Sequence, residues 1–148
     1  MVVSIFLNPT QFAPDEDLDV YPKTLEKDLE LCEANGVDLV FAPGPQEMYP
    51  QNTESLMTIN LHSLTDTLCG KSRPGHFPGV CTAVAKLFNI VQPDEAFFGA
   101  KDFQQSVIIQ QMVNDLNIPV NITVCPIVRE SDGLAMSSRN ARLSRKRN

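Results

Sequence analysis

Gly99-Ala100-Lys101-Asp102, followed by Gln104 and Gln105, is the stretch in which chemistry and folding coincide. The apolar run Ala96-Phe97-Phe98 stops at a glycine, and a helical pattern begins after the aspartate. A buried strand, a tight turn and a helix N-terminus are therefore expected. Backbone N–H groups at such a terminus lack partners within the helix and carry partial positive charge, so the turn suits an anion. Lys101 adds a point charge matched to phosphate. Asp102 can cap the helix through its carboxylate, and the amides of Gln104 and Gln105 can reach across the mouth of the turn. A capped strand–turn–helix with no ligand is the alternative, because Gly-x-Lys-Asp alone is a weak signal.

Three further stretches carry similar chemistry. Asn8 and Gln11, in Asn8-Pro9-Thr10-Gln11-Phe12, put amides just beyond a β-rich run from Met1 to Leu7. Ligands of open α/β sheets bind at such carboxyl ends; otherwise Asn8 bonds its own backbone in a turn. Gly70-Lys71-Ser72-Arg73-Pro74-Gly75-His76 gathers two glycines, a proline, two cations and a histidine, either as a working loop or as an exposed one. Met136-Ser137-Ser138-Arg139-Asn140 sets two hydroxyls before an arginine, donors that suit phosphate oxygens. Its alternative is a polar loop leading into a helix capped by Ser137 or Ser144.

The elements that must position these residues alternate. Met1–Leu7 reads as a strand buried on both faces. Leu25, Leu29 and Cys32 recur at helical spacing between Pro22 and Gly36. Val37–Phe41 is a second short strand, stopped by Ala42-Pro43-Gly44-Pro45, and Leu56–Leu61 a possible third. A helix over 79–91 presents Val80, Val84, Leu87, Phe88 and Val91 on one face. A second, over 102–116, carries Phe103, Val107, Ile108, Met112, Val113 and Leu116. Val120–Val124 is the next strand. Strands alternating with helices imply a largely parallel, doubly wound α/β sheet. No repeat or linker divides residues 1–148, so one domain is expected.

Composition narrows the partners. Among 148 residues, 43% are hydrophobic and 20% charged, the balance of a water-soluble globular domain. A net charge of −6 disfavours bulk nucleic-acid binding. The basic run Arg139–Arg147 is a phosphate patch or a solvated tail. No apolar run approaches the ~20 residues that span a bilayer, and Met1–Phe6 has no basic leader. Cys32, Cys69, Cys81 and Cys125 form no Cys-x-x-Cys pair. They read as small buried or half-buried residues in a reducing compartment, with no metal site.

Four motifs occur in order: Phe-x-Asn-Pro-x-Gln-Phe at 6–12, Ser-Arg-Pro-Gly-His-Phe at 72–77, Phe-Gly-x-Lys-Asp-Phe-Gln-Gln at 98–105 and Met-Ser-Ser-Arg-Asn at 136–140. Together they resemble the pantothenate synthetase (pantoate–β-alanine ligase) family over essentially the whole chain. The resemblance implies a Rossmann-like domain of the nucleotidyltransferase type. It also implies a two-step reaction, in which ATP and pantoate give pantoyl adenylate and pyrophosphate, and β-alanine then displaces AMP. By the same resemblance, Gln11 and Gln105 hold pantoate and Asn8 lines the same pocket. Gly99, Ala100, Lys101 and Asp102 contact ATP, with Lys101 on the phosphates and Asp102 on the ribose. Val128 and Met136 lie at the adenine. Ser137, Ser138 and Arg139 close on the phosphates, so that Lys101, Ser137, Ser138 and Arg139 form the catalytic set. Arg73 and His76 fall near the pantoate and phosphate sites. Mg²⁺ with ATP, a homodimer and the cytoplasm are implied too.

One family feature is missing. The family carries a His-x-Gly-His motif at a helix N-terminus, whereas this chain has only His62 and His76. The expectation is a chain that begins at the family's second strand and stops near the end of the nucleotide domain, incomplete at its N-terminus. Two other readings stay open: a non-catalytic fragment that keeps some ligand contacts, and a different nucleotidyltransferase, against which the Asn8, Gln11 and Gln105 amides speak.

Overall fold

The computed structural model describes residues 1–13, 16, 18, 21, 24–50 and 57–143. Four short strands form two parallel pairs. β1 (Val2–Ser4) pairs with β2 (Leu39–Phe41) in the register Val2 to Leu39, and α1 (Leu25–Ala34) makes the crossover. β3 (Glu95–Gly99) pairs with β4 (Asn121–Cys125) in the register Glu95 to Asn121, and α5 (Phe103–Asp115) makes that crossover. Among the described residues the two pairs share no ladder, where the sequence predicts one continuous sheet.

The core lies on the second pair. α4 (His76–Val91) and α5 pack Phe77, Val80, Cys81, Phe88, Ile108, Ile109 and Met112 together, with Ala96, Phe98 and Ile122 of the strands against them. β3 alternates in burial, so Ala96 and Phe98 face the helices. Phe98 meets Phe88 edge-on at 6.4 Å between ring centroids. Phe97, on the other face, is 65% exposed. Phe103 and Leu116, predicted on the buried face of α5, are also exposed.

The first pair is covered less. β1 is only three residues long and exposed at Val2 and Ser4, not buried on both faces. α1 buries nothing fully, and Leu25, Leu29 and Leu31 face outward. The apolar periodicity of these elements is real, but no described residue covers it.

Residues 57–61 form no strand. The Ile59 N–H donates to Thr82 Oγ1 of α4 at 3.0 Å instead of to another strand. Leu56 lies outside the described residues. The stretch from Cys69 holds a helical turn, α3 (Cys69–Ser72), and α4 begins at His76, earlier than predicted. Gly75, left-handed at φ +82, allows the sharp turn between them. Cys69 is exposed, against expectation, while Cys81 is buried.

The helix α4 also seats the first loop. A 3-10 turn (Pro9–Gln11) rests on it so closely that a Cβ at Gly79 would come within 2.3 Å of the Thr10 carbonyl oxygen. α2 (Pro45–Met48) completes the described helices.

Candidate active site

A cavity of about 880 Å³ opens beyond the carboxyl ends of three strands. Ile5, Phe6 and Leu7 follow β1, Ala42 and Pro43 follow β2, and Lys101, Asp102 and Gln105 follow β3. Open α/β sheets place ligands there because the loops leaving the strands diverge and expose backbone donors. Gln11, Arg73, His76, Ser137, Ser138 and Arg139 complete the polar lining. Side chains separated by more than a hundred positions thus line one cavity.

Each is held by local structure. Asn8 caps the 3-10 turn, its Oδ1 accepting from the Thr10 N–H and hydroxyl and from the Tyr49 hydroxyl at 2.9 Å. Its Nδ2 donates to the Gly79 carbonyl at 3.0 Å and to Gln11 Oε1 at 3.3 Å. Asn8 is 3% exposed and lies beneath the cavity, outside its lining. With the Gln11 oxygen engaged by Asn8, the Gln11 Nε2 group is the donor presented to the cavity. Tyr49 titrates above its ordinary range because burial disfavours its anion.

Gln104 and Gln105 are neighbours with opposite orientations. Gln104 donates to the carbonyls of Leu64 and Thr67, at 3.0 and 2.8 Å, and accepts from the Cys69 N–H at 3.0 Å. It staples the 61–69 segment to α5, while Gln105 lines the cavity. Asp102 stands at the α5 N-cap but makes no cap hydrogen bond; its carboxylate pairs with Lys101 Nζ at 3.2 Å. Gly99 and Ala100 form the turn behind them and do not line the cavity.

On the opposite wall, Arg129 bridges to Ala135 in a short antiparallel hairpin. The hairpin leads into a 3-10 turn (Ser138–Arg142) capped by Ser137, whose hydroxyl accepts from the Arg139 N–H. Val128 and Met136 face each other across the hairpin, with the Met136 N–H donating to the Val128 carbonyl at 2.9 Å. Both are exposed and lie outside the cavity lining.

The sequence reading missed Glu16 and Tyr21. Tyr21 joins the two walls: its hydroxyl lies 3.1 Å from Ser138 Oγ, the Arg139 guanidinium sits 5.3 Å from its ring centroid, and Phe12 meets it edge-on. The available signal was a single aromatic in an otherwise acidic stretch. Glu16 grips Arg73 through two bonds, to Nε at 2.5 Å and Nη2 at 2.7 Å. The bond from Arg73 holds Glu16 below the ordinary carboxylate range. Burial holds His76 below the usual histidine range, and the adjacent Arg73 cation adds to the effect.

The lining offers the amides of Gln11 and Gln105, the hydroxyls of Ser137 and Ser138 and the cations Lys101 and Arg139. It suits a substrate with a carboxylate or hydroxyls beside a phosphorylated one. A family model described as pantoate-beta-alanine ligase matches residues 1–148. The chain belongs to the pantoate-beta-alanine ligase family. Among its relatives, the pantothenate synthetase of Acetivibrio thermocellus is 62% identical over 143 residues, and that of Thermoanaerobacter sp. (strain X514) is 61% identical over 144. Each alignment covers 97% of this chain and 50% of the relative. The crystal structure of the Thermus thermophilus pantothenate synthetase superposes with a TM-score of 0.94 at 51% identity, over 98% of this chain and 52% of that one. The pantoate-beta-alanine ligase of Francisella tularensis, complexed with beta-gamma ATP and beta-alanine, superposes at 0.91 with 41% identity, over 97% and 55%. The fold is therefore the parallel α/β fold of these ligases, and the chain spans about half the length of the relatives it matches.

Proposed function

We propose that residues 1–148 supply the pantoate and ATP pocket of a protein that condenses pantoate with β-alanine at the expense of ATP. The observation that carries this is the single cavity into which Gln11, Gln105, Lys101, Ser137, Ser138 and Arg139 converge. In this reading Gln11 and Gln105 fix pantoate by its hydroxyl and carboxylate oxygens. A carboxylate oxygen then bonds to the α-phosphorus of ATP, the bond to the bridging oxygen breaks, and pyrophosphate leaves. Lys101, Arg139 and the two serines stabilise charge that grows on the phosphate oxygens. In the second step the β-alanine amine attacks the acyl carbon, loses a proton, and AMP departs. The protein's part is mainly orientation and electrostatics.

Magnesium would accompany ATP and supply charge neutralisation at its phosphates. The lining carboxylates Asp28 and Asp102 would hold it, and in this reading Asp102 also meets the ribose. The adenine is assigned to the side of Val128 and Met136, next to the turn of Gly99 and Ala100. Asn8 acts from below, on Gln11. We place the whole segment in one nucleotide-binding domain, and the family resemblance supports a cytoplasmic homodimer. No described helix is long and apolar enough to cross a membrane.

A second reading has the segment alone bind substrates without completing adenylation. It is favoured by the histidines, because His62 and His76 cannot reproduce the family's His-x-Gly-His pair.

The test replaces the matching segment of the Acetivibrio thermocellus enzyme with residues 1–148 and follows AMP release. Formation of AMP should require pantoate, ATP and β-alanine together. Gln105→Ala should raise the pantoate KM and spare ATP binding. Lys101→Ala should slow single-turnover adenylate formation about a hundredfold, equivalent to ~3 kcal/mol of lost charge stabilisation. Unchanged turnover at limiting pantoate in the first variant, or a normal rate in the second, removes that residue from the site. AMP release by residues 1–148 alone would dismiss the second reading.

A further inference from the structure

Glu16 lies outside the cavity lining and outside every motif, yet a continuous chain of contacts runs from it to Gln11. Its carboxylate takes Nε and Nη2 of Arg73 as a fork, at 2.5 and 2.7 Å. The pair is mostly withdrawn from water, with 29% of the Arg73 side chain and 20% of the Glu16 side chain exposed. Arg73 Nη1 then lies 3.1 Å from His76 Nε2. A guanidinium has donors and no acceptor, so Nε2 must be the unprotonated ring nitrogen. The proton is therefore on Nδ1, which lies 2.9 Å from the Gln11 carbonyl oxygen and donates to it. Both ring contacts are satisfied by one tautomer only, which the Arg73 donor at Nε2 and the Gln11 carbonyl at Nδ1 select together.

We propose that Glu16 is a positioning residue for the Gln11 amide, acting through Arg73 and the Nδ1–H tautomer of His76. The far end of the same turn is held by Asn8, which bonds Gln11 Oε1. Backbone and side chain of Gln11 are thus clamped from two directions. The charged groups that bear on His76 are Arg73, Glu16 and Asp102. Arg73 disfavours the imidazolium and the carboxylates favour it, while burial works with Arg73. A bidentate fork is specific to arginine, because lysine offers a point charge without fixed direction. Removing the carboxylate leaves the guanidinium without its anchor, and the ring keeps only one of the two contacts that select its tautomer.

This inference rests on the assignment of Gln11 to the substrate, so one of its two readouts is independent of catalysis. In the same hybrid enzyme, ¹⁵N-labelled at histidine, His76 is identified by the signal lost in His76→Gln. Its ring shifts should report the Nδ1–H form, and Glu16→Gln should move it toward a mixture with Nε2–H. Arg73→Lys should do the same, which keeps the test alive where one variant folds poorly. Kinetically, Glu16→Gln should raise the pantoate KM about tenfold, a loss of ~1.4 kcal/mol in the affinity term, with the ATP KM little changed. Glu16→Asp should restore part of both effects. An unaltered His76 tautomer in both Glu16→Gln and Arg73→Lys overturns the relay. A shifted tautomer with an unaltered pantoate KM overturns the positioning role of Glu16 where Gln11→Ala still raises that KM, and overturns the assignment of Gln11 to pantoate where it does not.

Discussion

At the scale of single residues, His76 carries a measurable consequence of its surroundings. Both ring nitrogens are engaged in the neutral form, and burial holds the group below its ordinary value. An unfolded histidine titrates near pH ~6.5. Between that value and the lower folded one, the unfolded chain binds a proton that the folded chain does not, so stability rises with pH there. The contribution is complete above the unfolded value and disappears as pH falls through the folded one. Stability measured by denaturant titration should therefore begin to drop as pH falls below about 6.5. His76→Gln should flatten that part of the profile. The Glu16 carboxylate adds a second loss at lower pH, because Arg73 keeps it ionised in the fold and it protonates more readily unfolded. An identical profile between about pH 5 and 7 in the variant would mean that His76 is not held neutral.

At the scale of elements, the contact between the first 3-10 turn and α4 decides where Gln11 points. Gly79 is the residue that permits it, because a methyl group there would meet the Thr10 carbonyl oxygen at 2.3 Å and the Gln11 nitrogen at 2.8 Å. Backbone cannot swing aside as a flexible side chain can. Gly79→Ala should cost about 1–3 kcal/mol, the usual effect of forcing an extra methyl into a packed contact. It should also weaken pantoate binding by lifting the turn. Thermal unfolding and pantoate titration check the two parts, and an alanine variant of unchanged Tm would show that the loop floats free of the helix. This contact was not legible in the sequence, where Gly79 read only as the start of a helix. The helix starts earlier because Gly75 makes the turn and His76 enters α4 directly. Patterning located α1, α4, α5 and the four observed strands to within a few residues, but it also placed a strand at Leu56–Leu61, where residues 57–61 form none. It could not tell which apolar faces would be covered, since it records what a residue prefers and not what lies opposite. Leu29 and Phe103 follow the pattern and remain exposed. Of the motif residues, Gln11, Arg73, His76, Lys101, Asp102, Gln105, Ser137, Ser138 and Arg139 line the cavity, whereas Asn8, Gly99, Ala100, Val128 and Met136 do not. Glu16 and Tyr21 act through long-range pairing, which spacing does not encode.

At the scale of the whole molecule, a chain of net charge −6 gathers Arg73, Lys101 and Arg139 around one cavity. The lining carboxylates Asp28 and Asp102 stand among them, and Glu16 and Asp102 pair with Arg73 and Lys101. The same molecule leaves its strands poorly partnered. Among the described residues β1, β2, β3 and β4 each have a neighbour on one side only. A two-stranded sheet is marginal by itself, and an open edge is a template for pairing with another chain. Leu39 at 54% exposure and Phe97 at 65% add apolar surface to those edges, and Leu31 at 62% extends it along α1. Burying such surface between copies gains about 25 cal/mol for each Å². Residues 1–148 expressed alone should therefore associate at micromolar concentration, with thermal unfolding that is broad or dependent on concentration. Light scattering over a dilution series, together with unfolding followed at each concentration, measures both. Lys substitutions at Leu39 and Phe97 should shift the population toward monomer, because a charge on an edge strand opposes pairing. A monomer at every concentration, unfolding in one sharp step, would mean that the two strand pairs are stable as they stand. The exposed edges would then have no part in assembly.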